Sequence, residues 1–166
     1  MPRSATATKA EESSRDLEEF RQFLRRGAPS PHAYVILLGL HSYDLPDLLR
    51  SVRKGLPYKS FERFVRNLSL SPEEAMAFVD IPRRTAHRRK REGRLQPDES
   101  DRLLRASRVF ARALELFDGD RDAAVEWLTA PITALGGAKP IELARTEVGA
   151  REVEATIGRI EDGVFS

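Results

Sequence analysis

Ser71-Pro72-Glu73-Glu74-Ala75-Met76-Ala77-Phe78-Val79-Asp80-Ile81-Pro82-Arg83-Arg84-Thr85-Ala86-His87-Arg88-Arg89-Lys90-Arg91-Glu92-Gly93 is the stretch whose reading decides the fold. Ser71 followed by proline and two glutamates is a helix start: the serine oxygen accepts from the backbone near Glu74, whose carboxylate reaches back, and Pro72 loses nothing at the first helical position. That helix carries Ala75, Met76, Phe78 and Val79 and breaks at Asp80. Pro82 opens a second short helix bearing the arginines, which Gly93 ends. A helix capped by Ser60 and carrying Phe61, Phe64, Val65 and Leu68 precedes them. Three short helices, a tight turn and a basic third helix outline a helix-turn-helix.

Downstream, Gln96-Pro97-Asp98-Glu99 starts a longer helix reaching to about Phe117. Leu103, Ala106, Phe110, Ala113 and Phe117 step by three and four and form one stripe. Asp118-Gly119-Asp120 stops it, and Asp120 caps a helix with Val125 and Leu128 inward. Trp127, whose large apolar area favours burial, is expected as the core anchor of the C-terminal part. Pro131, Gly136-Gly137 and Pro140 punctuate a turn-rich stretch, after which Pro140 opens a helix with Ile141, Leu143 and Ala144. After Gly149 a last helix shows Val153, Ile157 and Ile160 at helical spacing, with Val164 one step further.

Upstream, Met1–Ser13 is polar, small and aperiodic, and is expected to be disordered. Ser14 caps a short helix with Leu17, Phe20 and Leu24 on one face, stopped by Gly27-Ala28-Pro29-Ser30-Pro31. His32–Leu40 is an apolar run that suits a buried strand or a short buried helix, and periodicity does not decide between them. Asp47–Lys54 reads as a helix with Leu48, Leu49 and Val52 inward, closed by Gly55 and Pro57. The expected fold is all-α, with little sign of a sheet.

The totals narrow the function classes. The 166 residues are 40% hydrophobic and 33% charged, enough apolar material for a core beneath a charged surface. Cysteine is absent, which removes disulfides and thiolate catalysis. No apolar run is long enough to span a bilayer and the N-terminus lacks a signal-peptide core, so no membrane association and a cytoplasmic location are expected. Net charge is only +2, but it is unevenly spread. Ile81–Arg94 holds seven basic residues against one acid, whereas Asp118–Ser166 holds five basic residues against ten acids. A basic middle and an acidic end suggest two surfaces with different partners.

Arg83, Arg84, Thr85, Arg88, Arg89 and Arg91 are the candidate DNA contacts: arginine reads guanine edges, and both arginine and threonine hold phosphates. A solvated helix face is the plainer reading of a charge run, but density and position together favour DNA. Asp80 stands where such turns usually have glycine and tolerates left-handed backbone. Met76 stands where a small residue normally lets the helices approach, which predicts a splayed pair. His32, His41 and His87 are scattered and His87 has Arg91 at i+4, so no metal is expected. Gly136-Gly137 lacks the rest of a phosphate-loop fingerprint. Glu152, Glu154, Glu161 and Asp162 have no neighbouring nucleophile or base and read as solvent-facing. No enzyme and no cofactor are expected.

From about Gly55 onward the chain resembles the Xre/MbcA/ParS-type antitoxins, partners of RES-domain toxins. The matching segments are Ile81-Pro82-Arg83-Arg84-Thr85 with Arg88-Arg89, and Gly93-Arg94-Leu95-Gln96-Pro97-Asp98-Glu99-Ser100-Asp101-Arg102-Leu103. Further on come Trp127-Leu128-Thr129-Ala130-Pro131, Ala134-Leu135-Gly136-Gly137 and Pro140-Ile141-Glu142-Leu143. Thr146-Glu147-Val148-Gly149-Ala150 and Arg159-Ile160-Glu161-Asp162-Gly163-Val164-Phe165 complete the series. The resemblance implies an Xre-like helix-turn-helix domain followed by a small helical toxin-binding domain. The expected division is a disordered stretch over 1–13, an N-terminal region over 14–54 with a possible dimerisation role, a helix-turn-helix domain over 55–117 and a toxin-binding domain over 118–166. It further implies a homodimer, a higher-order complex with the toxin, and repression of the protein's own operator DNA. The toxins resemble ADP-ribosyltransferases and consume NAD⁺, which would be the toxin's substrate and not a cofactor here.

Ile160, Val164 and Phe165 are too apolar for an idle tail, and Gly163 is suited to end the helix and redirect the last residues. The residues alone leave two readings nearly equal, contact with a toxin and folding back onto the core; the resemblance favours the toxin. Arg151, Arg159, Ile160, Gly163, Val164, Phe165 and Ser166 are the candidate toxin-binding residues. The competing reading is a stand-alone helix-turn-helix regulator whose C-terminal domain only dimerises.

Overall fold

The computed structural model describes residues 5–27, 31–42 and 44–164, with side chains from Lys9 onward. In chain order its α-helices are α1 (Ala5–Arg26), α2 (Leu45–Lys54), α3 (Tyr58–Leu68), α4 (Pro72–Val79), α5 (Arg83–Glu92), α6 (Pro97–Leu116), α7 (Arg121–Thr129), α8 (Pro140–Leu143) and α9 (Glu147–Glu161). Short 3-10 helices cover Ala33–Leu38 and Thr133–Leu135. Among the described residues the β pairing is an isolated bridge between Pro57 and Arg94. Among the described residues, no helix is long and apolar enough to cross a membrane.

Helix α6 is the axis of the molecule. It packs against the first 3-10 helix and against α2, α3, α4, α7 and α9. The expected stripe holds: Leu103, Ala106, Phe110 and Ala113 are fully buried and Phe117 partly so. Val109, Ala111 and Leu114 are buried too, as suits a helix enclosed on several sides. Phe64 from α3 meets Phe110 edge-on at 6.2 Å and Phe78 of α4 at 6.0 Å, so aromatic packing joins three helices. One buried cluster runs on without interruption to Leu128, Val153 and Ile157. The segments expected as two domains therefore share α6 and one core.

The apolar run that suits either a buried strand or a short buried helix forms the 3-10 helix Ala33–Leu38, with all six residues buried. A buried 3-10 turn leaves carbonyls without helical partners. The Ser107 hydroxyl donates to Tyr34 O at 2.8 Å and the Asn67 amide donates to Leu37 O at 2.8 Å.

Several sequence expectations need correcting. Ala5–Ser13, expected to be disordered, is helical and continuous with the helix that follows Ser14; Met1–Ser4 lie outside the described residues. Glu12 pairs with Arg66 at 2.9 Å and the Ser13 hydroxyl donates to Arg66 O, so α3 holds this polar turn from outside. Ser60 lies buried inside α3, whose cap position is Pro57. Leu49 is exposed, because Leu48 alone of that pair faces the core. Val125 is half-buried, and Ala124 and Leu128 provide the fully buried face of α7. Trp127 is only partly buried, and Leu128 is the anchor.

Candidate nucleic-acid and partner surfaces

The helix-turn-helix comprises α4, the turn at Asp80 and α5. The capping box of α4 is complete: Glu74 N–H donates to Ser71 Oγ at 3.2 Å, and Ser71 N–H donates to Glu74 Oε2 at 3.0 Å. The Ser71 N–H, with the Ser71 hydroxyl donating to the same oxygen at 2.9 Å, holds the Glu74 carboxyl below its ordinary pKa. Asp80 adopts left-handed backbone, φ 59°, while its N–H and that of Ile81 bond back to Ala77 O and Met76 O. Ala75, Phe78, Val79, Ile81 and Ala86 are buried at the elbow, whereas Met76 is half-buried and lines hollows on either side. Met76 thus shares a hollow with Asp80, Ile81, Pro82 and Arg83 of the elbow.

The 100° step of α5 divides its cations between two sides. Arg83, Arg84, His87, Lys90 and Arg91 line one open hollow of about 840 Å³. Arg88 is exposed outside it, and Thr85 is half-buried. Arg89 is on the inner side, 9% exposed, with Nε 2.8 Å from Glu99 Oε2 and Nη1 2.8 Å from Glu92. The Glu99 and Glu92 hydrogen bonds raise its pKa above the ordinary arginine value despite burial. Of the six candidate DNA contacts, Arg89 is therefore withdrawn into the fold and five remain on or near the surface. His87 and Lys90 join them, and their signal was legible: 83, 84, 87, 90 and 91 form one helical stripe. Arg83 and Lys90 make only long ion pairs, to Glu73 at 3.9 Å and Glu62 at 3.7 Å; Arg84, Arg88 and Arg91 make none among the described residues.

The C-terminal surface is built on α7 to α9. Thr146 caps α9 by accepting from Gly149 N–H at 3.1 Å. Three acids on one side of α9 meet α6: Arg108 pairs with Glu147 at 2.9 Å and Glu154 at 2.7 Å, and Arg112 with Glu161 at 2.8 Å. Glu154, expected to face solvent, is half-buried; Glu161 is exposed as expected and still pairs with Arg112, and the seven-residue spacing of the two is the signal that places them on the same side. Arg105 of α6 donates to Ala144 O and Arg145 O, tying down the α8–α9 corner, and burial lowers its pKa. Arg145 in turn pairs with Asp80 at 3.1 Å, so this corner touches the helix-turn-helix elbow.

Of the candidate toxin contacts, Arg151 is exposed and pairs with Glu147, while Arg159 and Ile160 are half-buried and Arg159 pairs with Glu152. Gly163 takes left-handed backbone at φ 69°, just past the end of α9. Val164 is 55% exposed and separate from the buried core. Phe165 and Ser166 lie outside the described residues. Among the described residues, no group of three or more His, Asp or Glu side chains is placed to hold a metal.

An all-helical chain with this elbow and an added helical C-terminal unit falls in the helix-turn-helix class. The antitoxin Xre-like helix-turn-helix domain matches residues 47–108, and the antitoxin Xre/MbcA/ParS C-terminal toxin-binding domain matches residues 112–163. An Antitoxin Xre from Yersinia enterocolitica is 38% identical over 120 residues, covering 72% of this chain and 81% of the relative. An Antitoxin Xre from Photorhabdus laumondii is 34% identical over 130 residues, 78% of this chain and 88% of the relative. A Prs ADP-ribosylating antitoxin from a Sphingobium species is 27% identical over 152 residues, 85% of this chain and 92% of the relative. The chain belongs to the Xre antitoxin family, with a helix-turn-helix domain and a C-terminal toxin-binding domain.

Proposed function

We propose that this antitoxin neutralises a RES-type, NAD⁺-consuming toxin in the cytoplasm by placing its C-terminal segment in the toxin's active site, and that it does so without catalysis of its own. The observation that carries the reading is Val164, apolar and 55% exposed just beyond the left-handed Gly163, at the end of a region matching a toxin-binding domain. Burying an apolar side chain in a concave pocket is how a few anchors supply most of an interface's affinity. Arg151 and Arg159, at the surface of the same helix, would contribute charged contacts around that anchor. The name of the Sphingobium relative, which joins an antitoxin to ADP-ribosylation, supports a partner that uses NAD⁺.

The same protein, as a homodimer, represses its own operator through the basic face of α5, alone or in a higher-order complex with toxin. Arg83, Arg84, Thr85, Arg88 and Arg91 supply the contacts, with His87 and Lys90 beside them. The decisive experiment co-expresses the protein with the product of the neighbouring gene and follows growth and cellular NAD⁺. Deleting Gly163–Ser166 abolishes protection while leaving the helical signal and melting temperature unchanged. Full protection by the truncated chain overturns occlusion by the C-terminal segment.

A further inference from the structure

A second basic surface lies beside the recognition helix, where Lys9 of α1 and Arg121 of α7, both outside the matched helix-turn-helix region, border a wall built mostly by α3. Two hollows of about 310 and 490 Å³ share Lys9, Val65, Arg66 and Pro72 on their walls. One opens toward His87 and Lys90 of α5, the other toward Arg121 at the start of α7. Together they form one trough leading away from the recognition helix past the first turn of α4. Its cations are Lys9, Arg66, Lys90 and Arg121, with His87 at one end; against them stand Glu62 on the wall, 3.7 Å from Lys90, and the exposed Asp122, 3.2 Å from Arg121.

The acids of the first turn of α4 would repel a phosphate at that helix end. Glu73 and Glu74, however, line hollows that contain neither Lys9 nor Arg66. The trough receives only Pro72 and Met76 from α4. Lys9 is exposed and makes no ion pair among the described residues. Its helix is anchored one turn later, where Glu12 pairs with Arg66 and Asp16 with Arg63. An unpaired cation on an anchored helix can hold a phosphate at lower entropic cost than one on a mobile tail.

We infer that this trough carries the sugar–phosphate backbone of the DNA whose bases α5 faces, with Lys9 and Arg121 as phosphate contacts. The inference rests on the DNA-binding reading above and extends it to residues outside the helix-turn-helix. Phosphate contacts set register and affinity without reading sequence, and each one lost reduces the salt dependence of binding.

The test is fluorescence anisotropy of the full chain with the duplex upstream of its own gene and with a scrambled duplex, between about 50 and 200 mM salt. Lys9→Ala and Arg121→Ala each weaken both duplexes alike and shrink the fall in affinity across that salt range by about threefold. Lys9→Arg restores the wild-type slope, and Arg84→Ala serves as the recognition-helix control. Unchanged binding by Lys9→Ala and Arg121→Ala, with loss in Arg84→Ala, overturns the trough and leaves the helix-turn-helix reading standing. A loss confined to the upstream duplex also overturns it, because that is base reading. If the wild-type chain binds neither duplex, the DNA reading itself falls and takes the trough with it.

Discussion

Arg89 of α5 and Glu99 of α6 are joined across the α5–α6 turn, with Arg89 Nε 3.0 Å from Glu99 Oε1 and 2.8 Å from Oε2. Glu99 is only 3% exposed and also accepts from Gln96 N–H at 2.7 Å, so it caps α6 and clamps the recognition helix together. Removing one partner strands a buried charge. Arg89→Ala is expected to cost about 3 kcal/mol of stability, measured by urea unfolding. The contrast is Arg88→Ala, which should change stability by less than about 0.5 kcal/mol while weakening DNA binding.

The N-terminal helix depends on a comparable buried carboxylate. Asp16, 1% exposed, accepts from Arg63 Nε at 2.6 Å, Arg63 Nη2 at 2.5 Å and Asn67 Nδ2 at 2.9 Å. Asp16→Ala leaves Arg63 and Asn67 without that partner and should cost about 2–3 kcal/mol. Hydrogen exchange should rise first in α1, ahead of α6, since local opening follows the lost contacts. Equal protection of α1 in variant and parent would remove this latch from the account.

Gly149 marks a close approach at the start of α9. A Cβ there would lie 1.9 Å from Leu143 O, a backbone atom that cannot swing aside. Gly149→Ala must displace the α8–α9 corner, at a cost of about 1–3 kcal/mol. Because Arg105 holds that corner, the variant should neutralise toxin poorly even at temperatures where it remains folded. A co-expression assay paired with a melting curve separates the two effects.

Acid should loosen the molecule in a defined direction. Ser71 holds the Glu74 carboxyl down. At Glu147, burial pushes the carboxyl up, but hydrogen bonds and charge from Arg108 and Arg151 outweigh it and leave the pKa lowered. Both folded values lie below the ordinary 4.5. Their stabilisation is therefore complete above that pH and is lost as pH falls through the folded values. The melting temperature should drop below about pH 4.5, and the drop should be smaller in Glu147→Gln.

Local chemistry along the chain was enough to locate most helix boundaries and the elbow. The Ser71–Glu74 box, the Asp120 cap and the α6 stripe act within a turn or two, so neighbouring residues suffice to place them. Tertiary structure decided the rest, because burial and ion pairing depend on residues distant in sequence. It made Ala33–Leu38 a buried 3-10 helix, once Ser107 and Asn67 could take its carbonyls. It turned Arg89 inward to Glu99, set Glu154 and Glu161 against α6, and brought Lys9 beside α5 across almost eighty residues of chain. A charge's partner is a property of the packed molecule, and a list of residues does not contain it.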